Sequence, residues 1–217
     1  MTDLTFALTK GRLAEKTLKL LEYSGIHCKD MTEDSRKLVF ADPEHHVSFF
    51  MAKAADVPTY VEKGAADIGI VGKDVLLEEK KDLYEVLDLG FGKCRMAVAG
   101  FPSGAELLNH RGDFRVGTKY PEIARQYFLE RHQQPQILKL NGSVELAPIV
   151  GLSDVIVDIV ETGSTLRANG LVVLEEFLQI SARMVVNKAS MKIQAERING
   201  LIREMSSALA KMQEEKK

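Results

Sequence analysis

The stretch of this 217-residue chain with the clearest chemical content is Val155-Ile156-Val157-Asp158-Ile159-Val160-Glu161-Thr162-Gly163-Ser164-Thr165-Leu166. Its first half is a continuous run of largely β-branched residues, as in a strand covered on both faces. The run ends at a carboxylate-bearing edge, and the turn that follows places three hydroxyls around one glycine. Such a turn, leading into a helical segment, offers backbone N–H groups to an anion, and its glycine allows close approach. A phosphate fits there without a basic side chain. Asp158 and Glu161 stand near enough to bind ribose hydroxyls or a magnesium ion bridging phosphates. Taken alone, Thr162-Gly163-Ser164-Thr165 reads more often as a tight turn between strand and helix than as a binding loop.

Other chemistry-bearing residues follow short apolar runs. Lys10, Gly11 and Arg12 come directly after a run at 4–8, and Gly72-Lys73 closes another at 68–71. The elements that must position these groups alternate. Strands are expected at 4–8, 37–40, 47–51, 68–71, 86–89, 95–99, 115–118, 136–140, 155–160 and 183–187. Helices are expected after residue 12, at 58–63, after residue 74 and at 121–131. A last one follows residue 187, where Ile198, Leu201, Ile202, Met205, Leu209 and Met212 recur at helical spacing. This alternation predicts an α/β protein with mostly parallel sheets and flanking helices.

A composition of 45% hydrophobic and 28% charged residues supplies a core and excludes a disordered chain. A net charge of -2 gives no global attraction for nucleic acid or an anionic membrane, so neither is an expected partner. No run approaches the roughly 20 apolar residues of a membrane span, and the N-terminal residues do not read as a secretory signal. Two scattered cysteines give no disulfide framework, and the five histidines lack metal-ligand spacing. A cytoplasmic location is expected.

The match around the turn extends from Gly142-Ser143-Val144-Glu145-Leu146-Ala147-Pro148, through Gly151-Leu152-Ser153-Asp154, to Arg167-Ala168-Asn169-Gly170-Leu171. This run resembles the signature of the ATP phosphoribosyltransferases. Further blocks resemble the same family in order: residues 7–13, Ser35-Arg36-Lys37-Leu38, 56–62, 64–76 and 115–121. Together they cover most of the first 187 residues.

The resemblance implies a two-lobed fold like the type II periplasmic binding proteins, with lobe I at 1–92 and 177–217 and lobe II at 93–176. It implies transfer of the 5-phosphoribosyl group of phosphoribosyl pyrophosphate to N1 of ATP, releasing pyrophosphate, as the first step of histidine biosynthesis. Arg12 and Arg36 would then receive the charge growing on pyrophosphate, through forked hydrogen bonds that lysine cannot make. Thr162, Gly163, Ser164 and Thr165 would hold the 5-phosphate, and Asp158 the ribose or its metal. Lys10, Lys53, Gly72 and Lys73 would contact substrate. Mg2+ would arrive with the substrate phosphates, and no residue is assigned as its direct ligand.

The length resembles the short form of the family. Its partner is a regulatory subunit related to histidyl-tRNA synthetase, with a homodimer alone and a hetero-octamer in complex. Three other readings are weighed at this point: a non-catalytic solute-binding module on the same fold, a phosphoribosyltransferase with another acceptor base, and a structural partner of a larger complex that has lost activity, against which the intact Thr162-Gly163-Ser164-Thr165 turn speaks.

Overall fold

In the computed structural model, residues 3–27, 37–109 and 112–214 are described. The chain opens with β1 (Leu4–Thr9), α1 (Arg12–Tyr23), β2 (Val39–Asp42), β3 (Val47–Ala52) and α2 (Val57–Glu62). It continues through β4 (Ile68–Gly72), α3 (Lys73–Glu79) and β5 (Tyr84–Asp88). Next come β6 (Cys94–Gly100), β7 (Arg115–Thr118), α4 (Pro121–Glu130), β8 (Gln136–Lys139), α5 (Leu146–Ile149) and β9 (Val155–Val160). The last elements are α6 (Ser164–Ala168), β10 (Val172–Ile180), β11 (Ala182–Val186), α7 (Lys188–Ile193) and α8 (Ala195–Glu214).

These elements form two compact units, Met1–Gly92 with Ser181–Lys217, and Lys93–Ile180. The return crossing therefore falls after Ile180, beyond the expected position at 176/177. The cause is β10, which stays paired with β6 as far as Ile180 opposite Cys94. No strand was expected at 172–180. Its register shifts twice, and Glu175 and Glu176 interrupt the alternation that marks a strand in sequence. The two carboxylates hold the edge through Arg131 at 2.6 Å and Arg95 at 2.5 Å.

The first unit has a six-stranded sheet in the order β2-β3-β1-β4-β11-β5. Its middle, β3-β1-β4, is parallel, whereas β2, β11 and β5 join antiparallel. The expected parallel pairing thus holds for the βαβ connections, and the sheet as a whole is mixed. Alternation along β1 sends Leu4, Phe6 and Leu8 into one core with Leu20 and Leu21 of α1 and Ile198 and Met205 of α8. Ala7 faces the other way, into a layer with Val57 and Val61 of α2. Phe6 stacks on Phe49 with centroids 5.2 Å apart, a contact whose truncation to alanine costs about 3–5 kcal/mol.

The second unit has a five-stranded sheet in the order β10-β6-β9-β7-β8. Here β9, β7 and β8 run parallel, while β6 and β10 are antiparallel additions. The central β9 contributes Val155, Ile156 and Val157, each almost fully buried. That burial is why its sequence reads as a continuous apolar run. Thr118 at the end of β7 is also buried. Its hydroxyl donates to the Val157 carbonyl at 2.6 Å and accepts the Tyr120 N–H at 2.9 Å, fixing where the chain leaves the sheet. No described helix is long and apolar enough to cross a membrane.

Candidate active site

In open α/β sheets, ligands collect beyond the carboxyl ends of the parallel strands, where loops and helix starts converge. In the first unit these ends are Thr9, Ala52 and Gly72, and the register aligns them: Thr9 pairs with Ala52, and Leu8 with Ile70. Lys10 is the first residue past β1, Arg12 begins α1, and Lys53 follows β3; all three are exposed. Gly72 ends β4 and Lys73 begins α3. One sheet edge therefore presents all the cations expected there, except Arg36, which lies outside the described residues.

Two glycines shape this edge for physical reasons. Gly11 takes φ 86° before α1, a conformation that side chains resist. At Gly72 a Cβ would lie 2.2 Å from Oδ1 of Asp74, so the carboxylate needs a residue without one. Lys73 is less open than expected for a substrate contact. Its ammonium bonds Oε2 of Glu85 at 2.5 Å. Glu85 lies two strands away, and the sequence carries no local sign of this pairing.

In the second unit the corresponding edge follows β9. A cavity of about 290 Å³ is lined by Asp158, Glu145 and the turn from Glu161 to Thr165, above Ala97 and Ile156. The turn is internally braced. Thr162 and Ser164 share a hydrogen bond between hydroxyls at 3.0 Å, and the Arg167 guanidinium donates to the Thr162 carbonyl at 3.0 Å. Gly163 caps α6 at φ 72°, ψ 13°, in the left-handed region. Arg95 reaches across from β6 to donate to the Glu161 carbonyl at 3.0 Å. Thr162, Ser164 and Thr165 remain exposed. The five residues assigned to this part of the site are thus neighbours around one opening.

Asp158 is the electrostatic centre of that opening. Burial raises its carboxyl above the ordinary range, opposed by the Ile159 N–H that it accepts; the Glu145 charge raises it further and Lys119 lowers it. Glu145 and Lys119 were not singled out as site residues in the sequence. A signal was present for both. Glu145 belongs to the extended motif, and Lys119 follows the end of β7, whose Thr118 pairs with Val157 beside Asp158.

The family model described as HisG, ATP phosphoribosyltransferase, matches residues 53–207. This chain belongs to that family. It is 59% identical over 215 residues to an ATP phosphoribosyltransferase of Lachnoclostridium phytofermentans, covering 98% of this chain and 100% of the relative. Identity to the Ruminiclostridium cellulolyticum ATP phosphoribosyltransferase is 57%, over 93% of this chain and 95% of the other.

Among solved structures, the chain resembles the ATP phosphoribosyl transferase (HisG:HisZ) complex from Thermotoga maritima. The TM-score is 0.79 at 35% identity, over 95% of this chain and 98% of that one. The periplasmic aliphatic sulphonate binding protein SsuA of Escherichia coli aligns at TM-score 0.64 and 14% identity, over 100% of this chain and 75% of the other. That likeness is one of fold alone. It agrees with the binding-protein architecture that the ATP phosphoribosyltransferase resemblance implies.

Proposed function

We propose that the chain transfers the 5-phosphoribosyl group of phosphoribosyl pyrophosphate to N1 of ATP and releases pyrophosphate, the first committed chemistry of histidine biosynthesis. The observation that carries this reading is the braced, exposed Thr162–Thr165 turn beside the half-buried Asp158 carboxyl, in a chain of the ATP phosphoribosyltransferase family. The turn suits a phosphate monoester. Its amides and hydroxyls accept an anion with little reorganisation, and Asp158 accepts hydrogen bonds from ribose hydroxyls.

The ring gains positive charge and pyrophosphate gains negative charge as the C1–O bond breaks. The N1 lone pair of adenine forms the new bond at C1 with inversion, so no general base is needed. Lys10 and Arg12, together with Arg36, receive the charge on the leaving group. Lys53, Gly72 and Lys73 supply further phosphate contacts. Asp158, which feels the charges of Glu145 and Lys119, would stabilise the forming ribosyl cation in its ionised form.

The donor set fits Mg2+ brought in on substrate phosphates. Asp158, Glu145 and Glu161 bring carboxylate oxygens to the cavity lining, and no group of three or more His, Cys, Asp or Glu side chains forms a metal cage among the described residues. Bound there, the ion would neutralise phosphate charge.

Partner and location belong to the same proposal. A regulatory subunit related to histidyl-tRNA synthetase joins the chain, which is a homodimer alone and a hetero-octamer in complex, in the cytoplasm. The Thermotoga maritima structure, a HisG:HisZ complex, supports a partner of that kind.

The test is pyrophosphate release from ATP and phosphoribosyl pyrophosphate with Mg2+, with and without the partner subunit. Release that requires ATP supports the proposal. Release with adenine, hypoxanthine or orotate in place of ATP points to another phosphoribosyltransferase, and no release under any condition favours a binding module.

A further inference from the structure

The edge cation Lys73 belongs to a linked set of four charges. Glu85 bonds Lys73 through Oε2 at 2.5 Å and faces the Arg183 Nε through Oε1 at 3.5 Å. Arg183 also holds Oδ2 of Asp88 at 2.9 Å. Asp88 in turn accepts the Gly90 N–H at 2.9 Å and the Ser181 hydroxyl at 2.8 Å. The Lys73 N–H itself donates to the Ser181 carbonyl at 3.0 Å. Two cations and two carboxylates thus face one another from the start of α3 and the strands β11 and β5, with side-chain exposures of 26% for Lys73, 32% for Glu85 and 20% for Arg183.

This balance has a consequence for any anion that reaches Lys73. The ammonium has three N–H donors; an anion that only shares it keeps the Glu85 carboxylate as a close neighbour, and one that draws it away leaves Glu85 with Arg183 alone. An anion with one or two charges gains little from that exchange. A polyphosphate, which meets the other cations of the same sheet edge as well, gains more.

We propose that Glu85 is a specificity-determining residue: it occupies Lys73 as an internal competitor and sets the charge an incoming anion must carry to displace it. The inference rests on the reading of Lys73 as a phosphate contact. Glu85 touches no reacting atom; it acts through Lys73. Arg183 keeps the displaced carboxylate in place, so the pair reforms when pyrophosphate leaves.

The experiment is titration calorimetry of the full chain with inorganic pyrophosphate and with inorganic phosphate. It compares the wild type, Glu85→Gln, Lys73→Met and the double variant, each checked for an intact melting transition. Glu85→Gln is expected to bind pyrophosphate about two- to fivefold tighter, the range of a part-exposed ion pair. It should also narrow the gap between pyrophosphate and phosphate. Lys73→Met should weaken pyrophosphate binding, and adding Glu85→Gln to it should change nothing more. Unchanged or weaker binding by Glu85→Gln, with Lys73→Met still weakened, overturns the role of Glu85 and leaves the Lys73 contact standing. Unchanged binding by Lys73→Met overturns both. Should Glu85→Gln lower the melting temperature, Glu85→Ala in the same titration separates loss of the competitor from altered packing, because both variants free Lys73.

Discussion

The two sheet edges handle negative charge by different means. In the first unit Lys10 and Arg12 stand beyond β1, Lys53 beyond β3 and Lys73 beyond β4, three of them exposed and the fourth held by Glu85. In the second unit no cation belongs to the turn at 162–165. Hydroxyls bonded to one another and backbone amides line the opening, and the nearby Arg167 is used to brace the Thr162 carbonyl. Long cationic side chains lose rotamer freedom on binding but can follow a charge as it develops and departs. A braced turn needs no such ordering and suits a group held from start to finish. In the proposed reaction the first edge would then serve pyrophosphate as the leaving group, and the second would hold the ribose 5-phosphate.

The largest effect is expected where charge develops. Arg12→Ala and Arg36→Ala should each lower turnover by about 10²–10³, the loss typical of one preorganised charge stabiliser. Steady-state pyrophosphate release measures it. Near-normal turnover in both variants would mean that the first edge does not serve the leaving group, and the contrast between the edges would lose its basis.

How far each edge could be read in the sequence follows the same division. The second edge depends on local chain: β9 is announced by its β-branched run, and the turn by one glycine among hydroxyls. The strands at 115–118 and 155–160 coincide with those expected. What escaped was long-range. Glu85 reaches Lys73 only because β5 and β4 both flank β11, and the charges acting on Asp158 come from Glu145 and Lys119 on other segments. The return crossing was misplaced for a related reason. A bulged edge strand carrying two adjacent glutamates has no periodic signal, and its pairing with β6 is visible only in the folded sheet.

Asp158 gives the next largest effect, and it marks the second edge as built for ligand at the expense of stability. Its folded-state titration is raised by burial, so folding disfavours the charged carboxylate relative to the unfolded chain. Stability relative to a neutral isostere is then intact below the unfolded carboxyl value and falls as pH rises through the raised one. Asp158→Asn should raise the melting temperature at neutral pH by roughly 2–4 °C, and the gain should vanish at acid pH where Asp158 is protonated in both states. The same variant should lower turnover about 10- to 100-fold, since an amide replaces a charged hydrogen-bond acceptor. Thermal melts across pH, set beside activity at neutral pH, check both halves. A variant less stable at neutral pH would show that Asp158 has a structural role instead.

The smallest effect is the most discriminating between the edges, because it concerns how each responds to salt. Lys53 is a single exposed cation on a turn, so Lys53→Ala should raise a substrate KM by about two- to fivefold and leave kcat nearly unchanged. Thr165 is an exposed hydroxyl on the braced turn, and Thr165→Val should weaken the ribose phosphate contact by a similar factor. Added salt separates them. Exposed charges are screened over about 10 Å at 0.1 M ionic strength and over about 3 Å at 1 M. The Lys53→Ala penalty should therefore shrink as salt rises, because the wild type loses the same attraction. The Thr165→Val penalty should persist, since a short hydrogen bond does not act through the ionic atmosphere. KM measured for both variants across a salt series decides it: parallel responses would mean that the two edges bind phosphate in the same way, whatever their residues.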